Sequence, residues 1–394
     1  MSRIVFFCIP AHGHTNPTLG VVRELTARGH EVVYYSYEMM RGKIEAAGAR
    51  FVSCDAYDTE QRLTPKDAAR IGKDLAFSTK VLVDTTLALD DIVCAQMQEL
   101  KPDCIVADSM AVWGKAVALK LGIPFVSSTT TFAFNQHSAK IMPQSVGTIL
   151  SAIFSMGRAQ REIRRLQAHG YPVKSALDII QNDEHTHTIV YTSPQFQPCA
   201  DTFTEKYAFV GPSVRPAGSA FEKTHDKLLY ISMGTVNNDM LPLYRACIAA
   251  FADAPYQVVI SAGEHTDIAA LGPLPPHISV YPKVDQIAVL QQADAFITHC
   301  GMNSASEALY FGVPLVTVPV TDEQKGVAAR ALQLGAAVKP ASRRAKALRQ
   351  AADTALGDPS YRRAAQAVAQ GLRACPGASG AADKILAVIA EAKG

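Results

Sequence analysis

The sequence predicts an α/β protein of two doubly wound domains, each with a parallel sheet between two layers of helices. Short apolar runs alternate with segments of helical periodicity through the first half of the chain. The same alternation resumes after a segment rich in glycine and proline. The chain has 394 residues, 48% of them hydrophobic, which is enough for two domains with separate cores.

The first domain is predicted to begin with a strand at residues 4–9, a continuous apolar run typical of strands buried on both faces. Asn16 then predicts a helix cap, Pro17 a first helical turn and Gly29 the end of that helix. The same alternation predicts the following elements: strands at residues 32–35, 103–107, 123–127 and 188–191, and a helix at 111–121 that ends at Gly122.

The alternation stops near residue 211, where Gly211, Pro212 and Pro216 indicate a linker, and it then restarts. The alanine-rich C-terminal segment is predicted to be helical and to pack back on the first domain. Four further strands are predicted at residues 227–233, 258–261, 295–298 and 315–318. The predicted division is a first domain at residues 1–210, a linker at 211–226, a second domain at 227–375 and the C-terminal helix at 376–394.

The composition argues against several classes of protein. Thirty-eight basic and thirty-six acidic residues leave a net charge of +2, which gives no reason to expect nucleic acid or an anionic membrane as the main partner. No apolar run reaches the roughly 18 residues of a membrane span, and the start of the chain does not resemble a signal peptide. The eight cysteines are scattered without a C-x-x-C pair, as in reduced proteins. We therefore expect a cytoplasmic protein, either a monomer or a homodimer.

The run at residues 298–309, Thr-His-Cys-Gly-Met-Asn-Ser-Ala-Ser-Glu-Ala-Leu, carries the clearest chemistry. It follows a predicted strand and opens a helix, whose first N–H groups and positive dipole end suit a diphosphate. His299 can donate to phosphate oxygens, and Glu307 can accept from ribose hydroxyls. Ser304 and Glu307 also fit a capping box with Ser304 as the cap, so a purely structural interpretation remains open.

His14 and Asp108 form a candidate catalytic pair, because each follows a predicted strand of the same sheet. A histidine, whose ordinary pKa is about 6.5, can act as a general base, and a carboxylate on its other ring nitrogen would orient it. Asp108 could instead cap the helix after it, and His12 is a rival base.

No metal site is predicted. The chain has no Asp-x-Asp dyad of the kind that would bridge a divalent cation to a diphosphate. His185 and His187 have a suggestive spacing but no third ligand nearby, so they are interpreted as polar surface residues. No cofactor is expected beyond the nucleotide sugar, which is a co-substrate.

These segments together resemble the GT-B UDP-glycosyltransferases, and more narrowly the bacterial macrolide and flavonoid glycosyltransferases. The resemblance implies two Rossmann-like domains facing across a cleft, with the acceptor on the first domain and the nucleotide sugar on the second. The matching segments span nearly the whole chain: residues 9–17 (Ile-Pro-Ala-His-Gly-His-Thr-Asn-Pro), 209–213 (Phe-Val-Gly-Pro-Ser), 232–235 (Ser-Met-Gly-Thr), 299–309, 312–315 (Gly-Val-Pro-Leu) and 322–324 (Asp-Glu-Gln).

The resemblance also implies roles for individual residues, with His14 as the base and Asp108 as its orienting acid. The residues implied to bind the diphosphate are His299, Gly301, Asn303 and Ser304, and a second loop that faces the phosphates contains Ser232, Gly234 and Thr235. Glu307 is implied to bind the ribose, and Glu323 and Gln324 the hydroxyls of the sugar. Val284 and Gln286 are implied to lie near the base. The family commonly has a stacking aromatic residue where this chain has Lys283, so the identity of the base stays open, with Tyr281 as a replacement ring.

The expected activity is inverting, metal-independent transfer of a hexose to a hydroxyl of a small apolar acceptor such as a polyphenol or a macrolide. The expected donor is UDP-glucose, and a dTDP-sugar or UDP-N-acetylglucosamine are alternative donors. An alternative reaction class on the same architecture is that of a nucleotide-sugar epimerase. A non-enzymatic role is disfavoured because His14 and Asp108 are both present. Apolar residues of the first domain, each of which could equally belong to its core, are the candidate acceptor contacts: Met110, Trp113, Phe132, Phe134, Ile141 and Met142.

Overall fold

A computed structural model describes residues 1–57, 70, 74–141, 146–176, 178, 182–234 and 240–394. These residues form two compact units. The first contains Met1–Tyr191, Cys199–Ser213 and Pro376–Gly394, and the second contains Thr192–Pro198 and Val214–Cys375. The chain therefore passes from the first unit to the second between Ser213 and Val214, inside the predicted linker. Residues 192–198, predicted to lie in the first domain, belong to the second unit. Across the described ranges, no helix combines the length and the apolar character needed to span a bilayer.

Within the described residues, the first unit is built on seven parallel strands: β1 (Arg3–Phe7), β2 (Glu31–Ser36), β3 (Arg50–Ser53), β4 (Cys104–Asp108), β5 (Phe125–Thr129), β6 (Thr188–Val190) and β7 (Tyr207–Phe209). Their order in the sheet is β3-β2-β1-β4-β5-β6-β7. The helices of this unit are α1 (His12–Ala27), α2 (Arg41–Glu45), α3 (Leu75–Leu100), α4 (Val112–Leu121), α5 (Gln136–Ile141) and α6 (Val146–Ala168).

The central strands of this sheet are buried on both faces. Alternate residues of β1 point to opposite sides, so that Phe6 joins one apolar cluster and Phe7 joins the other. Phe6 stacks on Tyr34, and Phe7 stacks on Tyr35, across the β1–β2 pair. Because both faces are covered, polar side chains of β1 and β4 can reach a ligand only near the ends of these strands.

The second unit repeats this plan with six parallel strands among the described residues: β8 (Leu228–Ser232), β9 (Gln257–Ser261), β10 (Ile278–Tyr281), β11 (Ala295–Thr298), β12 (Leu315–Thr317) and β13 (Ala337–Val338). Their order is β10-β9-β8-β11-β12-β13. Its helices are α7 (Leu241–Phe251), α8 (Gln286–Leu290), α9 (Met302–Tyr310), α10 (Asp322–Gln333), α11 (Ala345–Gly357) and α12 (Pro359–Arg373). The predicted fold class, with two parallel-sheet α/β domains, is confirmed.

The C-terminal helix, α13 (Gly377–Lys393), belongs to the first unit. Ala381, Ile385 and Ile389 of this helix enter the apolar cluster that contains β1. An ion pair between Arg28 and Asp383, with a 2.5 Å N–O distance, ties α13 to the end of α1. The helix therefore completes the core of the unit that contains the start of the chain.

Both sheets have one point at which the strand order reverses, between β1 and β4 in the first unit and between β8 and β11 in the second. Ligands of doubly wound sheets bind outside the carboxyl ends of the strands at such points. His14 follows β1 and Asp108 ends β4, while Ser232 ends β8 and His299 follows β11. The sheet topology thus places both predicted sites at reversal points.

The predicted start of the first helix is wrong. The helix α1 begins at His12, and Pro17 lies inside it rather than in its first turn. The carbonyl of Ala11 accepts from the backbone N–H of His14 at 3.0 Å and of Thr15 at 2.9 Å, so the first turn closes before Asn16. His14 is consequently a residue of the first helical turn, not of a loop, and its backbone is fixed by that turn.

Candidate active site

His14 and Asp108 lie in direct contact in the first unit. Nδ1 of His14 is 2.8 Å from Oδ2 of Asp108; the carboxylate is fully buried, and the imidazole side chain is 21% exposed. The other carboxylate oxygen accepts from the backbone N–H of Met110 at 2.9 Å. The alternative in which Asp108 caps the next helix is wrong, because the N-cap residue of α4 is Ala111.

This geometry defines the state of the imidazole. A carboxylate can only accept hydrogen bonds, so Nδ1 of His14 carries the hydrogen and Nε2 keeps a lone pair. An imidazole in this tautomer can take a proton at Nε2, and the buried carboxylate then stabilises the imidazolium. The contact therefore leaves Nε2 of His14 with a lone pair and gives the ring a buried carboxylate partner.

Sequence analysis missed one residue of this site. Oγ1 of Thr130 lies 3.1 Å from Nδ1 of His14. Thr130 follows β5, the strand beside β4, and is buried. The signal available in the sequence was the run Ser-Ser-Thr-Thr-Thr at residues 127–131, since hydroxyl groups at the carboxyl end of a central strand are well placed to face a ligand site.

The rings of His12 and His14 have different partners. Nδ1 of His12 lies 3.2 Å from the ammonium group of Lys43, a donor, so this nitrogen of His12 must accept. Lys43 donates to the ring of His12, whereas the ring of His14 donates to the carboxylate of Asp108. The two histidines thus differ in the partner of their Nδ1 atom.

The other histidine pair of the first unit does not form a cluster of ligands. His185 is exposed and lies 3.7 Å from Glu184. His187 is 3.2 Å from the Lys206 ammonium and 3.4 Å from Glu391. In the part of the chain that the structure describes, no three His, Cys, Asp or Glu side chains are arranged to hold a metal ion.

The four candidate acceptor residues whose side chains are described fall into two groups. Met110, beside Asp108, and Phe134 are exposed. Trp113 and Phe132 are buried, and Trp113 packs in the apolar cluster of Phe7. The side chain of Ile141 and the whole of Met142 lie outside the described residues. Among the candidate acceptor residues whose side chains are described, only Met110 and Phe134 are thus exposed to solvent.

In the second unit, the ring of His299 fills a space bounded by two glycines. Thr298 of β11 pairs with Ser232 of β8, so the turns that follow the two strands are neighbours. A Cβ on Gly234 would lie 2.7 Å from Cε1 of the His299 ring, and a Cβ on Gly301 would lie 2.5 Å from its Nε2. Both positions therefore need glycine. Thr235 lies outside the described residues.

His299 is a neutral imidazole. His299 is only 9% exposed, and this burial lowers its pKa to about 4. A hydrogen bond with the backbone of Ser232 raises the pKa by a smaller amount. Its Nδ1 atom is buried and has no hydrogen-bond partner within the described residues. A buried polar atom without a partner is costly, so this ring is suited to a ligand that completes its hydrogen bonding.

The start of α9 lies beside this ring. Cys300 has a φ of +62°, a left-handed conformation that is strained for a residue other than glycine. The Cys300 N–H donates to Oγ1 of Thr298 at 3.1 Å, which helps to hold the turn. The N-cap residue is Gly301, so the alternative in which Ser304 is the cap is wrong. Asn303 and Ser304 instead lie in the first helical turn, near its unpaired N–H groups.

Gln286, Ser304 and Glu307 come together at one edge of this helix. Nε2 of Gln286 lies 2.6 Å from Oε2 of Glu307 and 3.4 Å from Oγ of Ser304. The Tyr230 hydroxyl donates to Oε1 of Gln286 at 3.4 Å. Burial raises the pKa of Glu307, and the hydrogen bond from Gln286 offsets part of this effect. The three predicted donor contacts thus form one polar group, and Val284 lies partly buried two residues before Gln286.

Lys283, where the family commonly has an aromatic residue, and the nearby Asp285 have different partners. Lys283 is 77% exposed and pairs with Glu264 at 3.2 Å. Asp285 instead accepts from Arg215 and from the backbone N–H of Gly218, each at 2.5 Å, and it also caps α8. Burial opposes ionisation, but these partners outweigh it and lower the pKa of Asp285 to about 2. Asp285 therefore anchors residues 215–218 to the loop before α8.

The predicted sugar contacts lie at the start of α10. Glu323 is exposed. Gln324 is buried, and its Oε1 accepts from the backbone N–H of Val320 at 2.8 Å and of Thr321 at 3.1 Å. Gln324 thus belongs to a capping box with Thr321. Because its oxygen serves the helix cap, its amide nitrogen is the group that can serve a sugar hydroxyl.

Solved structures with the same architecture are glycosyltransferases. The structure of the glycotransferase of kitacinnamycin matches this chain with a TM-score of 0.85 and 28% identity, over 98% of each chain. The structure of CalG4, the calicheamicin glycosyltransferase, matches with a TM-score of 0.83 and 28% identity, over 99% of this chain and 98% of that one. The fold is accordingly that of the GT-B glycosyltransferases.

The sequence comparisons identify the branch. The family of the erythromycin biosynthesis protein CIII-like C-terminal domain matches residues 246–388. The chain is 31% identical to the uncharacterized UDP-glucosyltransferase YojK of Bacillus subtilis (strain 168), over 99% of this chain and 98% of that protein. It is also 31% identical to the demethyllactenocin mycarosyltransferase of Streptomyces fradiae, over 100% of this chain and 87% of that protein. The chain belongs to the bacterial macrolide and flavonoid glycosyltransferases, which confirms the resemblance seen in the sequence.

Proposed function

We propose that the chain transfers a hexose, with inversion, from a nucleotide diphosphate sugar to a hydroxyl of a small apolar acceptor. The observation that carries this proposal is the 2.8 Å contact between His14 and the fully buried carboxylate of Asp108. In this proposal, Nε2 of His14 is the proton acceptor. Met110, exposed and adjacent to Asp108, supports an apolar acceptor such as a polyphenol or a macrolide.

The reaction is a single displacement. Nε2 of His14 takes the proton of the acceptor hydroxyl as its oxygen forms a bond to the anomeric carbon of the sugar. The bond between that carbon and the diphosphate oxygen breaks, and the nucleotide diphosphate leaves with the electron pair. Attack opposite the leaving group inverts the anomeric carbon. Asp108 stabilises the imidazolium until His14 returns its proton to solvent.

The second unit is proposed to bind the donor. The N–H groups at the start of α9 and the neutral ring of His299 would hold the diphosphate and receive its growing charge. Because these donors are built into the chain, we propose that the transfer needs no metal ion. Glu307 would accept from the ribose hydroxyls, and Glu323 with the amide group of Gln324 would contact the sugar.

UDP-glucose is proposed as the first donor to test. The two relatives named above differ in donor, since one is a UDP-glucosyltransferase and the other a mycarosyltransferase. Lys283 is exposed and offers no aromatic face for a base to stack on. A dTDP-sugar and UDP-N-acetylglucosamine are therefore the alternatives that the experiment must include.

The test measures nucleotide release from UDP-glucose, dTDP-glucose and UDP-N-acetylglucosamine, with and without a panel of phenolic and macrolide acceptors and with a chelator present. Product mass and the anomeric coupling constant report the added hexose and its configuration. Acceptor-dependent release that survives the chelator and gives the inverted anomer supports the proposal. Release that requires added divalent metal, or a product with retained configuration, would contradict it.

A further inference from the structure

Three neighbouring strands converge on the ring of His14. The strands β1, β4 and β5 are adjacent in the sheet, and their carboxyl ends lead to His14, Asp108 and Thr130. Asp108 Oδ2 lies 2.8 Å and Thr130 Oγ1 lies 3.1 Å from the same atom, Nδ1 of His14. The ring is thus held by one group at the end of β4 and a second group just after β5.

The proton on Nδ1 determines what Thr130 does. The carboxylate can only accept, so the hydrogen lies on Nδ1, and the hydroxyl cannot donate to that nitrogen. The Thr130 oxygen is therefore a second acceptor of the same N–H, in a three-centre hydrogen bond. A hydroxyl that donated to Nδ1 would require the opposite tautomer, in which Nε2 carries the hydrogen and cannot act as a base.

The contact with Thr130 restricts a rotation of the His14 ring that the contact with Asp108 alone would allow. With Asp108 alone, the ring can pivot about the line from Nδ1 to Oδ2, and this pivot moves Nε2. An oxygen that lies off this line opposes the pivot. A small displacement of a reacting group can cost about a hundredfold in rate, so the direction of Nε2 matters for the proton transfer.

The contact distinguishes Thr130 from the threonine that precedes it. Thr130 is 3% exposed, so its side chain cannot turn away into solvent. The preceding residue, Thr129, is also buried, and its Oγ1 has no hydrogen-bond partner among the described residues. The two threonines have the same chemistry and similar burial, but only the hydroxyl of Thr130 hydrogen-bonds to the His14 ring in the described part of the chain.

We propose that Thr130 is a positioning residue that fixes the orientation of His14 for proton transfer. The inference rests on the proposed role of His14 as the base. Thr130 acts through His14 and does not touch the reacting atoms, so its loss should lower kcat and leave the KM of donor and acceptor unchanged. Restoring a hydroxyl at this position should restore the rate.

The test compares Thr130→Val, Thr130→Ser and Thr129→Val with the wild type in steady-state transfer. Valine keeps the shape of threonine, so we expect Thr130→Val to fold and to lower kcat about tenfold with both KM values within twofold. Thr130→Ser should recover at least half of the wild-type kcat. Thr129→Val removes a hydroxyl that has no hydrogen-bond partner among the described residues, so this variant should match the wild type. If Thr130→Val is recovered unfolded, Thr130→Ala takes its place with the same expectations.

Two results would overturn the inference. One is an unchanged kcat in Thr130→Val, and the other is a rise in KM that accounts for the whole loss, which would make Thr130 a substrate contact. His14→Ala is run in the same assay to separate the inference from the proposed function. If His14→Ala is fully active, the proposed base is wrong; if it is inactive while Thr130→Val is normal, only the positioning role fails.

Discussion

Acidification should destabilise the second unit through His299, because its ring is buried in the neutral form. Burial lowers the pKa of this histidine from 6.5 to about 4. In the unfolded chain the same ring is exposed and takes up its proton near pH 6.5. Between these two pH values the unfolded state binds more protons than the folded state, so the contribution of His299 is fully present above about pH 6.5 and is lost as the pH falls toward 4.

The size of this effect follows from the two pKa values. One proton of difference corresponds to about 1.4 kcal/mol per pH unit, and the full interval from 6.5 to about 4 corresponds to about 3 kcal/mol. Between pH 6 and pH 5, the change in unfolding free energy with pH should be close to this value per pH unit. A His299→Gln variant has no titrating ring at this position. Between pH 6 and pH 5 its free energy of unfolding should therefore fall by about 1 kcal/mol less than that of the wild type.

Two measurements check this prediction. Urea unfolding at pH 6 and pH 5 compares the wild type with His299→Gln, using the transition that UDP shifts to higher urea to identify the second unit. NMR titration of histidine ring protons gives the midpoint directly, since His299→Gln removes one resonance and so assigns it. Bound UDP should raise this midpoint, because a diphosphate beside the ring favours its protonated form.

A midpoint near 6.5 for the His299 resonance would refute the reasoning, since it would mean that the ring is solvated in the folded protein. Equal losses of unfolding free energy in the wild type and in His299→Gln would do the same. A depressed midpoint that does not respond to UDP would keep the burial argument but would remove the diphosphate from the neighbourhood of this ring.

Two further predictions concern the second unit. Gly301→Ala places a Cβ 2.5 Å from Nε2 of His299, so calorimetric titration should show UDP affinity reduced at least about tenfold, whereas Gly357→Ala, with open space around its Cβ, should bind normally. Equal affinities in these two variants would contradict the packing argument. Asp285→Ala removes the helix cap and the partner of Arg215, so its unfolding free energy should fall by about 1–3 kcal/mol, with faster amide hydrogen exchange at Gly218. Unchanged exchange at that amide would show that Asp285 does not anchor the linker.

The fold was predictable because its signals are local and repeated. The strands predicted from the sequence are mostly apolar runs, and the segment after each of them contains glycine, proline or a small polar residue. The pairing of His14 with Asp108 was predictable for a related reason. The carboxyl ends of parallel strands meet at one edge of a sheet, so polar residues just after two such strands are expected to lie close together.

Other features of the site and of the helices could not be predicted, because they depend on hydrogen-bond partners that the local sequence pattern does not reveal. Thr130 contacts His14 across 116 positions of sequence, and nothing in its immediate neighbours distinguishes it from Thr129. Pro17 is a good first-turn residue, but the Ala11 carbonyl closes the helical turn earlier. Gln324 fits both a sugar contact and a capping box, and the backbone N–H groups that it binds show that the cap uses its oxygen.

The account as a whole depends on His14 as the base of the transfer. The most direct measurement is kcat for His14→Ala and His12→Ala, with the donor and acceptor that give the highest wild-type rate and with a chelator present. The account predicts that His14→Ala lowers kcat by roughly 10²–10⁴-fold, because general-base catalysis contributes about that much, while His12→Ala stays within a few fold of the wild type. Full activity in His14→Ala, with the loss appearing in His12→Ala instead, would contradict it.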